Sequence, residues 1–275
     1  MSLNTELRNF IRSARQKGLK VGFVPTMGAL HQGHLSLIEE AKKKSDLVIC
    51  SIFINPKQFN VASDLNNYPR TMDEDLKMLA SVECDVAFTP STGEVYQKEV
   101  PFEFDFNGLD TPMEGANRPG HFKGVVQVVK RLFEIVEPDI ACFGLKDFQQ
   151  YSIIKQLVRY YGLPIEIIGC PIIREENGLA MSSRNVRLSD KEASDALALS
   201  KSLRMIKKNY LQLSLKESKI MAIETVKQYA ELEYLEIAEP TSLKTANNWA
   251  DANHLRAFIA AKVGPVRLID NLEIF

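Results

Sequence analysis

His31 and His34 flank Gly33 in the stretch Phe23-Val-Pro-Thr-Met-Gly-Ala-Leu-His-Gln-Gly-His34. Imidazoles so placed can donate to phosphate oxygens, and glycine lets a ligand approach the backbone closely. The stretch opens as a strand: Leu19 to Val24 is β-rich, and Pro25 and Gly28 end it. Leu35, Leu37, Ile38 and Ala41 then follow helical spacing, with Lys42 to Lys44 behind them, which predicts a helix beginning near His34. Its unpaired N–H groups and positive dipole end would face whatever lies above the strand, and a phosphate chain suits that position. A strand-to-helix turn with two solvated histidines has the same signature. Two of the chain's four histidines in one glycine-bearing helix mouth favour the functional reading.

Other turns offer complementary groups. Ser51 to Phe59 leaves a strand at Asn55-Pro56, where proline keeps Asn55 extended and Gln58 reaches the rim; its amide can bind a hydroxyl and a carboxylate together. Tyr68 to Asp75 reads first as a helix start with acids in its opening turn, and Glu74 and Asp75 are the candidates for magnesium. His121, in Arg118-Pro-Gly-His-Phe122, is a loop or packing residue ahead of an apolar helix. Cys142 to Gln150 repeats the strand, glycine, helix plan. It supplies Lys146 for phosphate, Asp147 for a helix cap, ribose or metal, and Gln150 for a second substrate amide. Ile172 to Asn185 reads as a polar loop with Gly178, and Ser182, Ser183 and Arg184 could close over a triphosphate.

These motifs need a scaffold, and the periodicity supplies one. Strands over 20–25, 47–54, 85–89, 139–143 and 165–169 alternate with helices over 34–44, 71–81, 122–136 and 147–161, which predicts βα units and a mainly parallel sheet. Ligands bind such sheets beyond the carboxyl ends of the strands, where the motifs fall. From about residue 176 the alternation stops. Helices 189–209 and 215–230 precede β-like runs 233–238, 254–261 and 265–270, giving an expected division into 1–175 and a smaller α+β domain, 176–275.

Composition excludes several classes. Charge is 34 minus 35, or −1, with no long basic run, which argues against a nucleic-acid surface. Cys50, Cys84, Cys142 and Cys170 lie far apart and read as buried thiols in a reducing compartment. The amphipathic start, with Leu3, Leu7, Phe10, Ile11 and Ala14 on one face, is too polar for a secretory signal. Leu47 to Ile54 is too short to cross a bilayer, so a cytoplasmic protein with no membrane association is expected. No Ser/His/Asp or Cys/His nucleophilic constellation stands out.

Taken as a set, Pro-Thr-Met-Gly-Ala-Leu-His-Gln-Gly-His, Asn-Pro-Lys-Gln-Phe, Tyr-Pro-Arg-Thr, Arg-Pro-Gly-His-Phe, Gly-Leu-Lys-Asp-Phe-Gln-Gln and Met-Ser-Ser-Arg-Asn closely resemble the pantoate–β-alanine ligase family. The first and last alone resemble the wider HIGH-type nucleotidyltransferases. The resemblance implies a Rossmann-like N-terminal domain, a C-terminal lid and a homodimer. It implies that MgATP and pantoate give pantoyl adenylate, from which β-alanine displaces AMP. Met27, Gly28, His31, His34, Gly144, Lys146, Asp147, Ile173, Met181, Ser182, Ser183 and Arg184 would bind ATP, with His34, His31, Lys146 and Arg184 catalytic. Gln58, Gln150 and Asn55 would bind pantoate, Gln58 also lying near β-alanine. Lys57 and Leu145 depart from the family's usual residues. A nucleotidylyltransferase would share the ATP motifs without needing Gln58 and Gln150. A silent nucleotide sensor would be expected to have lost His34, Lys146 or Arg184, and a tRNA-synthetase-like protein would need a basic surface or an anticodon-binding extension.

Overall fold

The computed structural model describes residues 4–96 and 102–275. Leu3, the first apolar position of the predicted N-terminal helix, lies outside them. In chain order the elements are α1 (Asn4–Gln16), β1 (Val21–Thr26), α2 (Gln32–Lys42), β2 (Leu47–Ile52), α3 (Ala62–Asn66), α4 (Met72–Ser81), β3 (Val86–Phe88), α5 (Thr92–Val95), α6 (Glu114–Asn117), α7 (His121–Val136), β4 (Ile140–Gly144), α8 (Phe148–Tyr161) and β5 (Glu166–Cys170). Then follow α9 (Asp190–Asn209), α10 (Leu215–Lys227), β6 (Glu231–Ala238), β7 (Arg256–Val263) and β8 (Val266–Glu273).

Two compact units result. The first holds Met1–Asn107, Arg118–Leu145 and Gln150–Pro171, and the second Gly108–Asn117, Lys146–Gln149 and Ile172–Phe275. The expected division at 175/176 thus differs from the packing, which assigns two short earlier segments to the second unit.

The first unit is a five-stranded sheet of order β3-β2-β1-β4-β5, every neighbouring pair parallel. The order reverses between β1 and β4, and such a switch opens a crevice beyond the strands' carboxyl ends. Alternation along the buried strands serves both faces. Val24 and Cys142 join Leu35, Ile38 and Ala41 of α2, whereas Phe23 and Phe143 each set an edge-on ring contact with Phe133 of α7, at 6.3 and 6.5 Å. Cys50, Cys142 and Cys170 are buried free thiols, while Cys84 is only partly buried. Burial raises the Cys84 thiol to about 11, so at neutral pH it is a packing group.

The second unit is built on the antiparallel sheet β6-β7-β8. One face, with Ala257, Ile259, Ala261 and Leu268, packs with Ala196, Leu199 and Leu203 of α9 and Ala222 and Val226 of α10. The opposite face receives the two earlier segments. Arg267 clamps Glu114 through both guanidinium branches and reaches Glu233 at 2.8 Å, and Tyr234 donates to Glu114 at 2.8 Å. Phe148 packs edge-on against Phe258 and under Arg256. Buried Gln149 accepts from the Glu114 N–H and donates to the Leu109 and Pro112 carbonyls, tying the two segments together.

Candidate active site

The first unit brings three motifs to one place. After β1 the chain turns through Gly28 (φ +81°) and Ala29 (φ +49°), a conformation that disfavours alanine. Asp75, 2% exposed, holds it there: its carboxylate accepts from the Ala29 N–H at 2.9 Å, the Leu30 N–H at 2.8 Å and the Thr71 hydroxyl at 3.1 Å. A side chain at position 28 would meet Asp75 at 2.9 Å and Ile52 at 3.0 Å, so glycine is required on packing grounds as well as by φ.

Helix α2 begins at Gln32, two residues before the expected start, because His31 is its cap. The His31 Nδ1 accepts from the Gly33 N–H at 3.1 Å, and the His34 Nδ1 accepts from the His31 N–H at 3.3 Å. This is a reciprocal capping box in which imidazole nitrogens stand where a serine oxygen and a glutamate usually do. An accepting Nδ1 places the ring proton on Nε2, which fixes both tautomers. The rings lie 4.1 Å apart at 43° at the start of the helix.

Gln58 closes the single 3-10 turn Pro56–Gln58 that follows β2. The Gln58 Nε2 lies 2.8 Å from the Met27 Sδ, so this amide adjoins the turn that leads to the two histidines. Its orientation is imposed from behind by Asn55, 1% exposed. Tyr96, whose phenol burial pushes up to about 12, remains protonated and donates to the Asn55 Oδ1 at 2.8 Å. The Asn55 Nδ2 must then be the group that donates to the Gly124 carbonyl at 3.1 Å and the Gln58 Oε1 at 3.2 Å. Gln58 therefore presents its NH2, a donor suited to a carboxylate or hydroxyl oxygen. His121, the buried first residue of α7, donates from Nδ1 to the Gln58 carbonyl at 2.8 Å, leaving Nε2 to accept from Arg118 at 3.2 Å.

The second unit carries the remaining cations. Lys146 sits in the 3-10 turn Leu145–Asp147, its ammonium 3.4 Å from Asp147 and its carbonyl accepting from Asn271 of β8 at 2.8 Å. The expected polar loop at 172–185 is a short hairpin. Its N–H groups at Glu175 and Met181 pair with the carbonyls of Leu179 and Ile173, and Gly178 (φ +94°) makes the turn. Ile173 and Met181 are therefore neighbours. Arg174 anchors this hairpin through a forked pair with buried Asp270, at 2.7 and 2.9 Å. Beyond it, the Ser182 hydroxyl accepts from the Arg184 N–H, and Asn185 ties back to Glu175 at 2.8 Å.

Comparison with known proteins places this arrangement. The family model described as pantoate-beta-alanine ligase matches residues 1–273. The chain belongs to this family. A relative from Porphyromonas gingivalis named pantothenate synthetase is 44% identical over 270 residues, covering 97% of this chain and 96% of its own. One of the same name from Cytophaga hutchinsonii is 45% identical over 273 residues, covering 98% and 96%. The crystal structure of pantothenate synthetase from Thermus thermophilus superposes with a TM-score of 0.92 at 38% identity, covering 100% of this chain and 99% of that one. Pantoate–β-alanine ligase from Francisella tularensis, complexed with β-γ ATP and β-alanine, gives 0.82 at 36%, covering 100% and 97%. As a member of the pantoate–β-alanine ligase family the chain is an acid–amino-acid ligase joining pantoate to β-alanine.

Several residues hold places other than those read from the sequence. Asn55, expected to touch substrate, has its amide fully engaged in orienting Gln58 and the turn. Asp75, a magnesium candidate, uses both carboxylate oxygens on the turn after β1, and Glu74 points outward from α4. Among the described residues no cluster of three or more His, Cys, Asp or Glu side chains is arranged to hold a metal ion, and no helix is long and apolar enough to cross a membrane. Gly144 ends β4 with open space where a Cβ would stand. Gln150 is half-buried in the first turn of α8, whereas its neighbour Gln149 serves packing. Asp270, Asn271, Arg174 and Tyr96, none singled out in the sequence, set the positions of the motif residues.

Proposed function

We propose that the ligation proceeds through pantoyl adenylate. A carboxylate is a poor electrophile because an oxide is a poor leaving group, so the acid must first become a mixed anhydride. The pantoate carboxylate oxygen attacks the α-phosphorus of ATP, and the bond to the bridging oxygen breaks with its electron pair leaving on pyrophosphate. The amine of β-alanine then attacks the acyl carbon, AMP departs with the bonding electrons, and the new amide nitrogen loses its proton.

The observation that carries this reading is the Gln58 amide, its NH2 face fixed by Asn55, lying 2.8 Å from Met27 of the turn that leads into the histidine-capped helix. A group able to read an acid thereby adjoins one able to receive a nucleotide. His31 and His34 offer Nε2–H donors to phosphate, with Met27, Gly28 and Gly144 bordering the nucleotide. Lys146, Asp147, Ile173, Met181, Ser182, Ser183 and Arg184 complete the ATP contacts, and His34, His31, Lys146 and Arg184 offset the charge that grows on the leaving pyrophosphate. Gln150 joins Gln58 on pantoate. Magnesium enters as part of the substrate, MgATP, carried on its phosphates. The second unit acts as a lid, and the enzyme works as a cytoplasmic homodimer.

Release of AMP and pyrophosphate from MgATP and pantoate, followed with and without β-alanine, tests the route. Sustained AMP release should require β-alanine and match pantothenate formed, while pantoate alone should give one enzyme equivalent of pyrophosphate. Sustained pyrophosphate release without the amine, with a stable nucleotide-linked product, would instead mark a nucleotidylyltransferase. Sedimentation velocity at micromolar concentration tests the dimer.

A further inference from the structure

Lys146 stands in a one-turn 3-10 helix, and one bond from the C-terminal sheet meets its carbonyl: the Asn271 Nδ2 donates to the Lys146 oxygen at 2.8 Å across 125 positions of sequence. Asn271 is 2% exposed and is itself oriented. Its Oδ1 accepts from the Arg256 guanidinium at 2.7 Å, which can only donate, so the Nδ2 must face Lys146. Arg256 lies in turn over the ring of Phe148, 4.4 Å from its centre, two residues after Lys146. The preceding residue, Asp270, accepts the Asn271 N–H at 2.8 Å and grips the hairpin arginine, Arg174. Two successive residues of β8 thus fix the segments that bear Lys146 and Arg184.

We propose that Asn271 is a positioning residue for Lys146, holding its turn so that the ammonium is set for the nucleotide phosphates before they arrive. The inference rests on the reading of Lys146 as an ATP contact. The bond fixes the backbone rather than the ammonium, so it sets the place of the positive charge without itself adding a counter-charge to the one Asp147 already supplies at 3.4 Å.

Asn271→Asp is the discriminating variant. It keeps an oxygen acceptor for Arg256, and so the packing of the sheet, but sets an oxygen against the Lys146 carbonyl and removes the donor. The expected result is a loss of about tenfold in kcat/KM for ATP, near the upper end of what one neutral hydrogen bond supplies, with the KM values for pantoate and β-alanine within about twofold of wild type. In a Lys146→Ala background, Asn271→Asp should lower the rate no further, because its effect passes through the missing ammonium. A full additional loss in that background, or equal losses for all three substrates, would overturn the proposal. So would unchanged ATP kinetics in a folded Asn271→Asp protein when Lys146→Ala has collapsed the rate. Undiminished activity of Lys146→Ala would overturn the assignment of Lys146 itself, and this inference with it. If Asn271→Asp fails to fold, Asn271→Ser, too short to reach the carbonyl, takes its place in the same measurements.

Discussion

Gly124→Ala tests whether the Gln58 turn is set by helix α7. A Cβ on Gly124 would stand 2.2 Å from the Lys57 carbonyl oxygen, 2.6 Å from its carbon and 2.8 Å from the Gln58 nitrogen. Ordinary contact begins at 3.4 Å, so the helix and the turn must separate by 3.4 − 2.2 = 1.2 Å, and the neighbours are backbone that cannot swing aside. The same separation would stretch the 3.1 Å bond from Asn55 to the Gly124 carbonyl, on which the orientation of the Gln58 amide depends. Active-site groups tolerate about 0.5 Å of displacement, and a misplacement of about 1 Å can lower a rate about 10²-fold. Stability should respond less. Overpacking costs about 1–3 kcal/mol, and alanine returns about 0.8–1 kcal/mol of helix propensity, leaving a net loss of about 0–2 kcal/mol. At about 2–4 °C per kcal/mol, the melting temperature should fall by less than about 10 °C. The assay is pantothenate formation under varied pantoate, with melting followed by circular dichroism. A loss of about 10²-fold in kcat/KM for pantoate, with the ATP KM within about threefold of wild type, is expected. A folded variant with wild-type pantoate kinetics would refute the claim that α7 places Gln58.

Four other outcomes follow from the same geometry. Gly144→Ala places its Cβ in open space, so the fold and melting temperature should be unchanged while the ATP KM rises if the nucleotide packs there; nucleotide titration calorimetry reads this directly. Asp75→Asn turns an NH2 toward one of the two backbone N–H groups it now receives and should destabilise the protein by about 2–3 kcal/mol, measured by urea denaturation. Lys146→Ala and Arg184→Ala should each lower pyrophosphate release about 10²–10³-fold with circular dichroism unchanged; His34→Gln, which keeps an acceptor for the α2 cap but loses the ring donor, should do the same. Gln150→Ala should raise the pantoate KM and admit acids lacking one hydroxyl, so unchanged acid selectivity would contradict its role.

The alternating units, the parallel sheet and the helix mouths were legible because burial on both sheet faces writes periodicity directly into the chain. The cap of α2 was not, because the usual signal is a serine, threonine or aspartate oxygen, and here an imidazole nitrogen replaces it. Asp75 looked like an ordinary first-turn acid. Its task depends on a loop some 45 positions earlier, which no local window contains. The assignment of 108–117 and 146–149 to the second unit was hidden for the same reason: it rests on Glu114 with Arg267 and on Asn271 with Lys146, pairs separated by 153 and 125 residues. Of the adjacent glutamines, only burial separates Gln149, which packs, from Gln150, which remains available.

The turn after β1 also divides labour between main chain and side chain in an uncommon way. In a glycine-rich phosphate loop the peptide N–H groups face the ligand. Here those of Ala29 and Leu30 face inward to Asp75, and those of His31 and Gly33 end on imidazole nitrogens. With His31 and His34 holding phosphate as proposed, anion recognition at this helix passes from the peptide, which is the same in every protein, to two rings encoded one codon at a time. Such a mouth can be retuned or silenced by a single base change that keeps an acceptor for the capped N–H groups, as histidine to asparagine or glutamine does, a freedom that a purely main-chain cradle does not offer.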